Sequence, residues 1–163
     1  MEELYEKYSK LIYKYLYSLS KNQSLAEELV QETFYSAIKN SNKPLEDLNV
    51  KSWLYKIAKN KWIDYVRKQK TKYIVPFDEQ VDMFLTENSI ENNLIEKDDL
   101  IRFYKSIHKL DENTREVIYL RIKGELSFKE IGNVLGKTEE WARVTFYRGK
   151  FKLKEEFNNE IRK

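Results

Sequence analysis

Apolar side chains recur at helical spacing from the start of the chain. Leu4, Tyr8, Leu11, Ile12, Tyr15, Leu16 and Leu19 fall on one face of a helix running from Leu4 to Leu19. Ser24 followed by Glu27 has the form of a capping box and predicts the start of a second helix. That helix is expected to bury Leu25, Leu29, Val30, Phe34, Ala37 and Ile38, while Glu28, Gln31, Glu32 and Tyr35 line its other side. The polar run NSNKPLEDLN at 40–49, punctuated by Pro44, reads as a loop. A third helix follows through VKSWLYKIAKNKWIDYVRKQK at 50–70, and the three are expected to form one bundle.

From about residue 71 the helical period lapses. Pro76, Asp78, Glu79, Asp82, Asn88, Asn92 and Asn93 read as an acidic tether, with Met83, Phe84 and Leu85 as a short apolar island. Periodicity returns in LIEKDDLIRFYKSIHKL at 94–110. Asp111 is placed to open ENTREVIYLRIKG, which ends near Gly124, and Ser127 with Glu130 forms another capping box for a helix reaching Leu135. The expected fold is all-α: a domain at 1–72, an acidic flexible linker at 73–93 and a second small helical domain at 94–163.

Within the second domain, FKEIGNVLGKTEEWARVTFYR at 128–148 breaks at a glycine and restarts at once. Gly136 supplies the positive φ that ends a helix sharply, and a small residue at Gly132 allows the next helix to approach closely. Thr138 is placed to cap the new helix, whose positive N-terminal end Glu139 and Glu140 complement. Ala142, Phe146, Gly149 and Leu153 then share one face, towards Ile131 and Leu135. Arg143, Thr145, Tyr147, Arg148 and Lys150 are assigned to the other side, where a recognition helix would meet a major groove. Glutamates at such a tip repel phosphates but can accept from a cytosine amino group. Glu140 is the better base reader and Glu139 the better cap.

Composition and charge narrow the function. The 163 residues contain 4 glycines, 2 prolines, one histidine and no cysteine. Disulfides, a thiolate nucleophile and a cysteine-based zinc site are therefore excluded, and His108 with Ile107 and Leu110 beside it reads as a helix flank. No metal, cofactor or catalytic residue is expected. Acid pairs such as Glu27/Glu28 and Asp98/Asp99 are adjacent on a helix and face different ways, and no Gly-rich phosphate loop is present. No apolar stretch is long enough to cross a membrane, so insertion is not expected and the protein is assigned to the cytoplasm. The net charge of +3 hides an uneven distribution. Residues 49–75 carry 8 basic side chains against 1 acidic, and residues 76–100 carry 8 acidic against 1 basic. The basic block interleaves lysines with Trp53, Tyr55, Trp62 and Tyr65, the combination that single-stranded nucleic acid rewards. Trp53 is assigned to the core. Asn60 and Lys61 are placed for contact with an unstacked base or its phosphates, with Arg67 and Lys68 further along, and Asp64 is read as a partner of the basic side chains.

These segments, in this order, resemble the extracytoplasmic-function sigma factors, the small two-domain specificity subunits of bacterial RNA polymerase. LAEELVQETFYSAI at 25–38 is similar to the family's polymerase-docking helix, and KSWLYKIAKNKWIDYVRK at 51–68 to the segment that melts and reads the −10 element. Residues 110–153 resemble the C-terminal domain that reads the −35 element. The resemblance implies that Glu28, Gln31, Glu32 and Tyr35 bind the β′ clamp helices of core RNA polymerase, with the β subunit as a further contact. It implies that Asn60, Lys61, Arg67 and Lys68, with the loop from about Asn40 to Asn49, hold single-stranded −10 DNA. Glu140, Arg143, Thr145, Tyr147, Arg148 and Lys150 would meet duplex −35 DNA. The acidic linker would thread the polymerase cleft as a nucleic-acid mimic, and an anti-sigma factor is a further possible partner. Gly132 stands where the family usually has alanine, and Trp141 where a small or hydroxyl residue is usual. The alternative, a stand-alone homodimeric helix-turn-helix regulator, explains the C-terminal motif but gives the docking helix and linker no purpose.

Overall fold

The computed structural model describes residues 1–42, 49–69 and 97–162. Among these the chain is helical, with no strand. The described helices are α1 (Glu2–Ser20), α2 (Gln23–Lys39), α3 (Val50–Gln69), α4 (Lys97–His108), α5 (Glu112–Ile122), α6 (Phe128–Leu135) and α7 (Glu139–Arg162). α1, α2 and α3 form one compact unit; α4, α5, α7 and most of α6 belong to another. The acidic tether, its apolar island at Met83–Leu85 and most of the Pro44 loop lie outside the described residues.

In the N-terminal unit each helix packs on the other two. The expected apolar face of α1 is the buried one, with Ile12, Tyr15 and Leu16 fully covered. Tyr15 meets Tyr55 of α3 edge-on at 5.2 Å between ring centroids, and Tyr5 meets Phe34 of α2 in the same way at 4.9 Å. Edge-to-face pairs of this kind add to the area they bury because the positive rim of one ring faces the negative face of the other.

Three expectations for this unit need correction. α2 starts at Gln23, not at a Ser24–Glu27 capping box; the cap is Asn22, whose side chain accepts from Leu25 N–H at 3.0 Å. The cause lies upstream: Lys21 ends α1 in the left-handed region at φ 55°, its N–H donating to Tyr17 O at 2.8 Å. That turn leaves Asn22 extended at the next helix entrance, and asparagine caps as well as serine. Ile38, expected inside, is 54% exposed. Trp62, not Trp53, is the buried tryptophan, because Leu54, Tyr55, Ala58 and Trp62 share the stripe that α3 turns inward. Trp53 is half-buried.

The C-terminal unit is set by its helix ends. Asp111 caps α5 as expected, accepting from Thr114 N–H at 3.2 Å and from the Thr114 hydroxyl at 2.6 Å. That hydroxyl, above all, holds the Asp111 carboxyl below the usual carboxylate range, against an opposing push from burial; the Thr114 N–H and the charge of Lys152 act in the same sense as the hydroxyl. Ser127 and Glu130 form the full capping box of α6. Gly136 ends α6 at φ 68°, and Thr138 Oγ1 accepts from Trp141 N–H at 3.0 Å to start α7. Both α4 and α5 pack on α7. α7 passes α5 at Gly149, where an added Cβ would overlap Thr114 Cγ2 and come within 2.9 Å of Ile118 Cδ1. Leu110, Val117, Leu120, Leu126, Ile131 and Ala142 are buried.

Candidate polymerase and DNA faces

The outward face of α2 is built by what its inward face consumes. Leu25, Ala26, Leu29, Val30, Thr33, Phe34 and Ala37 are buried, and the Thr33 hydroxyl is satisfied by Leu29 O at 2.6 Å. Glu28, Gln31, Glu32 and Tyr35 are all exposed, Tyr35 at 59% with the Lys39 ammonium 4.6 Å from its ring centroid. The uncovered Ile38 belongs to the same side: Glu28, Gln31, Tyr35 and Ile38 follow the three-then-four spacing of a seam that another helix can fill. The sequence reading missed Ile38 because periodicity alone did not separate the edge of the apolar stripe from the next face.

On α3, Asn49 caps the helix through Ser52 N–H at 3.2 Å. Asn60, Arg67 and Lys68 are exposed and Lys61 is half-buried. Asn60 and Arg67 are seven residues apart, as are Lys61 and Lys68, so each pair lines up along the helix. Trp53 lies seven residues before Asn60 and extends that line, so a ring, a carboxamide and a guanidinium follow one another. The spacing was readable from the sequence; the assignment of Trp53 to the core concealed it. Tyr65 stacks on the buried Trp62 at 5.9 Å.

On α7, Glu140, Arg143, Tyr147, Arg148 and Lys150 are exposed. Thr145 is half-buried and lies one turn from both Ala142 and Gly149, so it borders the buried stripe rather than the exposed face of Glu140, Arg143, Tyr147, Arg148 and Lys150. Val144, which the sequence reading passed over, is 40% exposed and stands one turn from Glu140, Tyr147 and Arg148. Arg143 is held by Glu139 at 3.1 Å, a solvent-exposed pair one turn apart. Such pairs are worth only about 0.3–0.5 kcal/mol, so the guanidinium can exchange Glu139 for a stronger anion. The Trp141 ring is half-buried with Lys137 Nζ 5.6 Å from its centroid. Phe128, at the entrance of α6, lies 5.5 Å from Phe146 and 6.0 Å from Tyr147.

Gly132 fixes how α7 leaves α6. A Cβ there would stand 2.7 Å from Lys137 O and 2.9 Å from the carbonyl carbon and oxygen of Thr138, all of them backbone atoms. The missing methyl is therefore what lets the turn close against α6. Among the described residues, no group of three or more His, Asp or Glu side chains is placed to hold a metal ion, and no helix is long and apolar enough to cross a membrane.

Residues 4–72 match the family model for Sigma-70 region 2, and residues 106–149 match that for Sigma-70, region 4. Across 163 aligned residues the chain is 30% identical to the ECF RNA polymerase sigma factor SigM of Bacillus subtilis (strain 168), covering 99% of this chain and 97% of that one. The chain belongs to the extracytoplasmic-function sigma factors. This sigma factor is also 30% identical to SigW of the same organism, over 93% of its own length and 86% of SigW. Solved structures share its fold. RpoE from Bartonella quintana, crystallised with the anti-sigma factor NepR, superposes with a TM-score of 0.68 at 20% identity, covering 96% of each chain. CnrH, solved with the cytosolic domain of CnrY, gives 0.66 at 21% identity over 97% of this chain and 87% of that one. As a member of this family, the protein acts in transcription initiation as a regulatory subunit rather than as an enzyme.

Proposed function

We propose that this sigma factor directs core RNA polymerase to a two-element promoter and melts its −10 region, with each of the three exposed faces performing one task. The observation that carries the reading is the presence of both sigma regions in one chain, at 4–72 and 106–149, each with an outward face of the right chemistry. The α2 seam of Glu28, Gln31, Glu32, Tyr35 and Ile38 docks on the β′ clamp helices; its spacing suits a helical partner, and its exposed Tyr35 and Ile38 supply the apolar contact. The β subunit provides a further contact.

The line of Trp53, Asn60 and Arg67, flanked by Lys61 and Lys68, holds the separated −10 strand. Aromatic stacking and lysine charge favour a single strand, while Asn60 offers both donor and acceptor to an extruded base. Flipping a base costs a few kcal/mol, which these contacts offset. α7 enters the major groove of the −35 duplex, where Glu140, Val144 and Arg148 reach base edges and Arg143, Tyr147 and Lys150 meet the backbone. The domains divide at 1–72 and 94–163, with 73–93 as the tether. The work is cytoplasmic, where the polymerase is. Because RpoE and CnrH were solved with NepR and with the cytosolic domain of CnrY, an inhibitor protein is proposed as a partner here too.

The decisive experiment is transcription from sheared genomic DNA by core RNA polymerase with and without the protein, followed by sequencing of RNA 5′ ends. New starts sharing two upstream elements at fixed spacing are expected. Specific duplex binding by the protein alone, without new starts, would instead identify a self-contained dimeric regulator.

A further inference from the structure

The first turn of α7 sets a large apolar ring among charges: Trp141 follows Glu139 and Glu140 and stands two residues before Arg143. Its backbone N–H is taken by the Thr138 hydroxyl at 3.0 Å, a cap that fixes the register of the turn. The ring is half-buried, and Lys137 Nζ lies 5.6 Å from its centroid. Lys137, Trp141, Val144 and Arg148 follow one another at spacings of four, three and four, so they line one side of the turn and helix. Val144 is 40% exposed, and both Lys137 and Arg148 are exposed. The line therefore runs cation, ring, isopropyl group, cation, an apolar ledge of two side chains between charged ends. Trp141 is also a position at which the chain departs from its family, so the ledge inherits no assigned role.

The N-terminal turn of a recognition helix is the part that reaches base edges. The floor of a major groove offers amino donors, carbonyl and ring-nitrogen acceptors, and one apolar group, the C5 methyl of thymine. Set over an amino group or an acceptor, the ring removes water and returns no hydrogen bond, which is unfavourable. Set over a methyl, it covers apolar area on both partners. A phosphate is a poor seat for the ring as well, because it demands donors; Lys137 at the end of the ledge suits it better. Glu140, one position earlier and about 100° round the helix, accepts from an amino group instead. The tip of α7 thus offers two different chemistries to neighbouring base edges.

We propose that Trp141 and Val144 form a ledge that reads a thymine methyl in the −35 element, which makes Trp141 a specificity-determining residue beyond those assigned above. The proposal deepens the −35 reading and rests on it.

The test uses holoenzyme assembled with wild-type protein, Trp141→Ala, Trp141→Phe or Arg148→Ala, and labelled duplexes of a promoter recovered by start-site sequencing. Each thymine of the −35 element is replaced in turn by deoxyuracil, which removes the methyl and keeps the base pair. In wild type at least one replacement should weaken binding about fourfold, the factor for one buried methyl at about 0.8 kcal/mol. Trp141→Ala should bind the thymine and uracil duplexes alike, and Trp141→Phe should keep part of the difference. A ring that only packs within the domain would weaken both duplexes equally and leave their ratio at the wild-type value. That unchanged ratio in Trp141→Ala, or the lack of any sensitive thymine in wild type, overturns the ledge, as does an element with no thymine on either strand. A scrambled −35 element separates the ledge from the reading beneath it. If wild type does not distinguish scrambled from intact, or if Arg148→Ala leaves that distinction whole, the recognition-helix assignment falls. If the distinction holds and no thymine matters, the ledge alone is wrong. Should Trp141→Ala fail to fold, Val144→Ala takes its place, with the same loss of ratio expected and the same unchanged ratio overturning it.

Discussion

The two helical units hold themselves together with different materials. The N-terminal unit works by bulk: Tyr15, Tyr55, Leu16 and Leu54 are at most 1% exposed and fill the space between three long helices. The C-terminal unit works by close approach and by helix ends. Gly132 and Gly149 leave room for neighbouring helices, and Asp111, Ser127, Gly136 and Thr138 each terminate or start one. A core made of bulk fixes that the helices pack and leaves their outer faces free, which suits the docking seam and single-strand track proposed above. A turn closed at backbone distance fixes an angle, and the proposed reading of a major groove would depend on that angle.

The contrast can be broken from either side. The largest expected effect is Tyr55→Ala, which removes a fully buried ring and its edge-on partner; about 3–5 kcal/mol should be lost in the N-terminal unit. Denaturant titration of the full chain should then show two transitions, with the C-terminal one unmoved. Gly132→Ala should cost about 1–3 kcal/mol, because backbone has to move to admit the methyl. Unlike Tyr55→Ala, it should also degrade discrimination between intact and scrambled −35 elements. Arg148→Ala should cost about 1–3 kcal/mol of that discrimination with no change in melting temperature. Its counterpart, Asn60→Ala, should slow open-complex formation on duplex promoters more than on pre-melted ones, and equal loss on both would point to a docking defect.

The smallest effect concerns pH. Asp111 is held below its ordinary value, so its cap contributes fully above the unfolded carboxylate range near about pH 4 and fades as pH falls through the lowered folded value. Stability of wild type relative to Asp111→Asn should therefore be greatest near neutrality and vanish in strong acid. A constant difference across pH would mean that the carboxylate's charge contributes nothing.

The same contrast governs what could be read without coordinates. The helix ends of the C-terminal unit are encoded within four or five residues each, so Asp111, the Ser127–Glu130 box, the Gly136 turn and the Thr138 cap were all legible. In the N-terminal unit the apolar period was legible but its phase was not. Whether α3 turns Trp53 or Trp62 inward depends on which stripe meets Tyr15 from another helix, a long-range fact. Ile38 was misplaced for the same reason. Asn22 was missed because its role follows from the left-handed turn at Lys21, a conformation lysine seldom adopts. The Phe128 cluster had no local signal, since Phe128 meets Phe146 and Tyr147 from a different helix.

The glycine at the heart of the turn also bears on how such a protein can diversify. Substitutions at exposed positions such as Val144, Tyr147 and Arg148 ordinarily change stability by no more than about 0.5 kcal/mol, so the lettering on the reading surface is open to revision one residue at a time. In this chain the mount beneath it is less free, because a methyl at Gly132 would meet main chain and the turn would have to open to admit it. A chain built this way can vary its outer face one residue at a time, while the posture of that face stays tied to a single glycine.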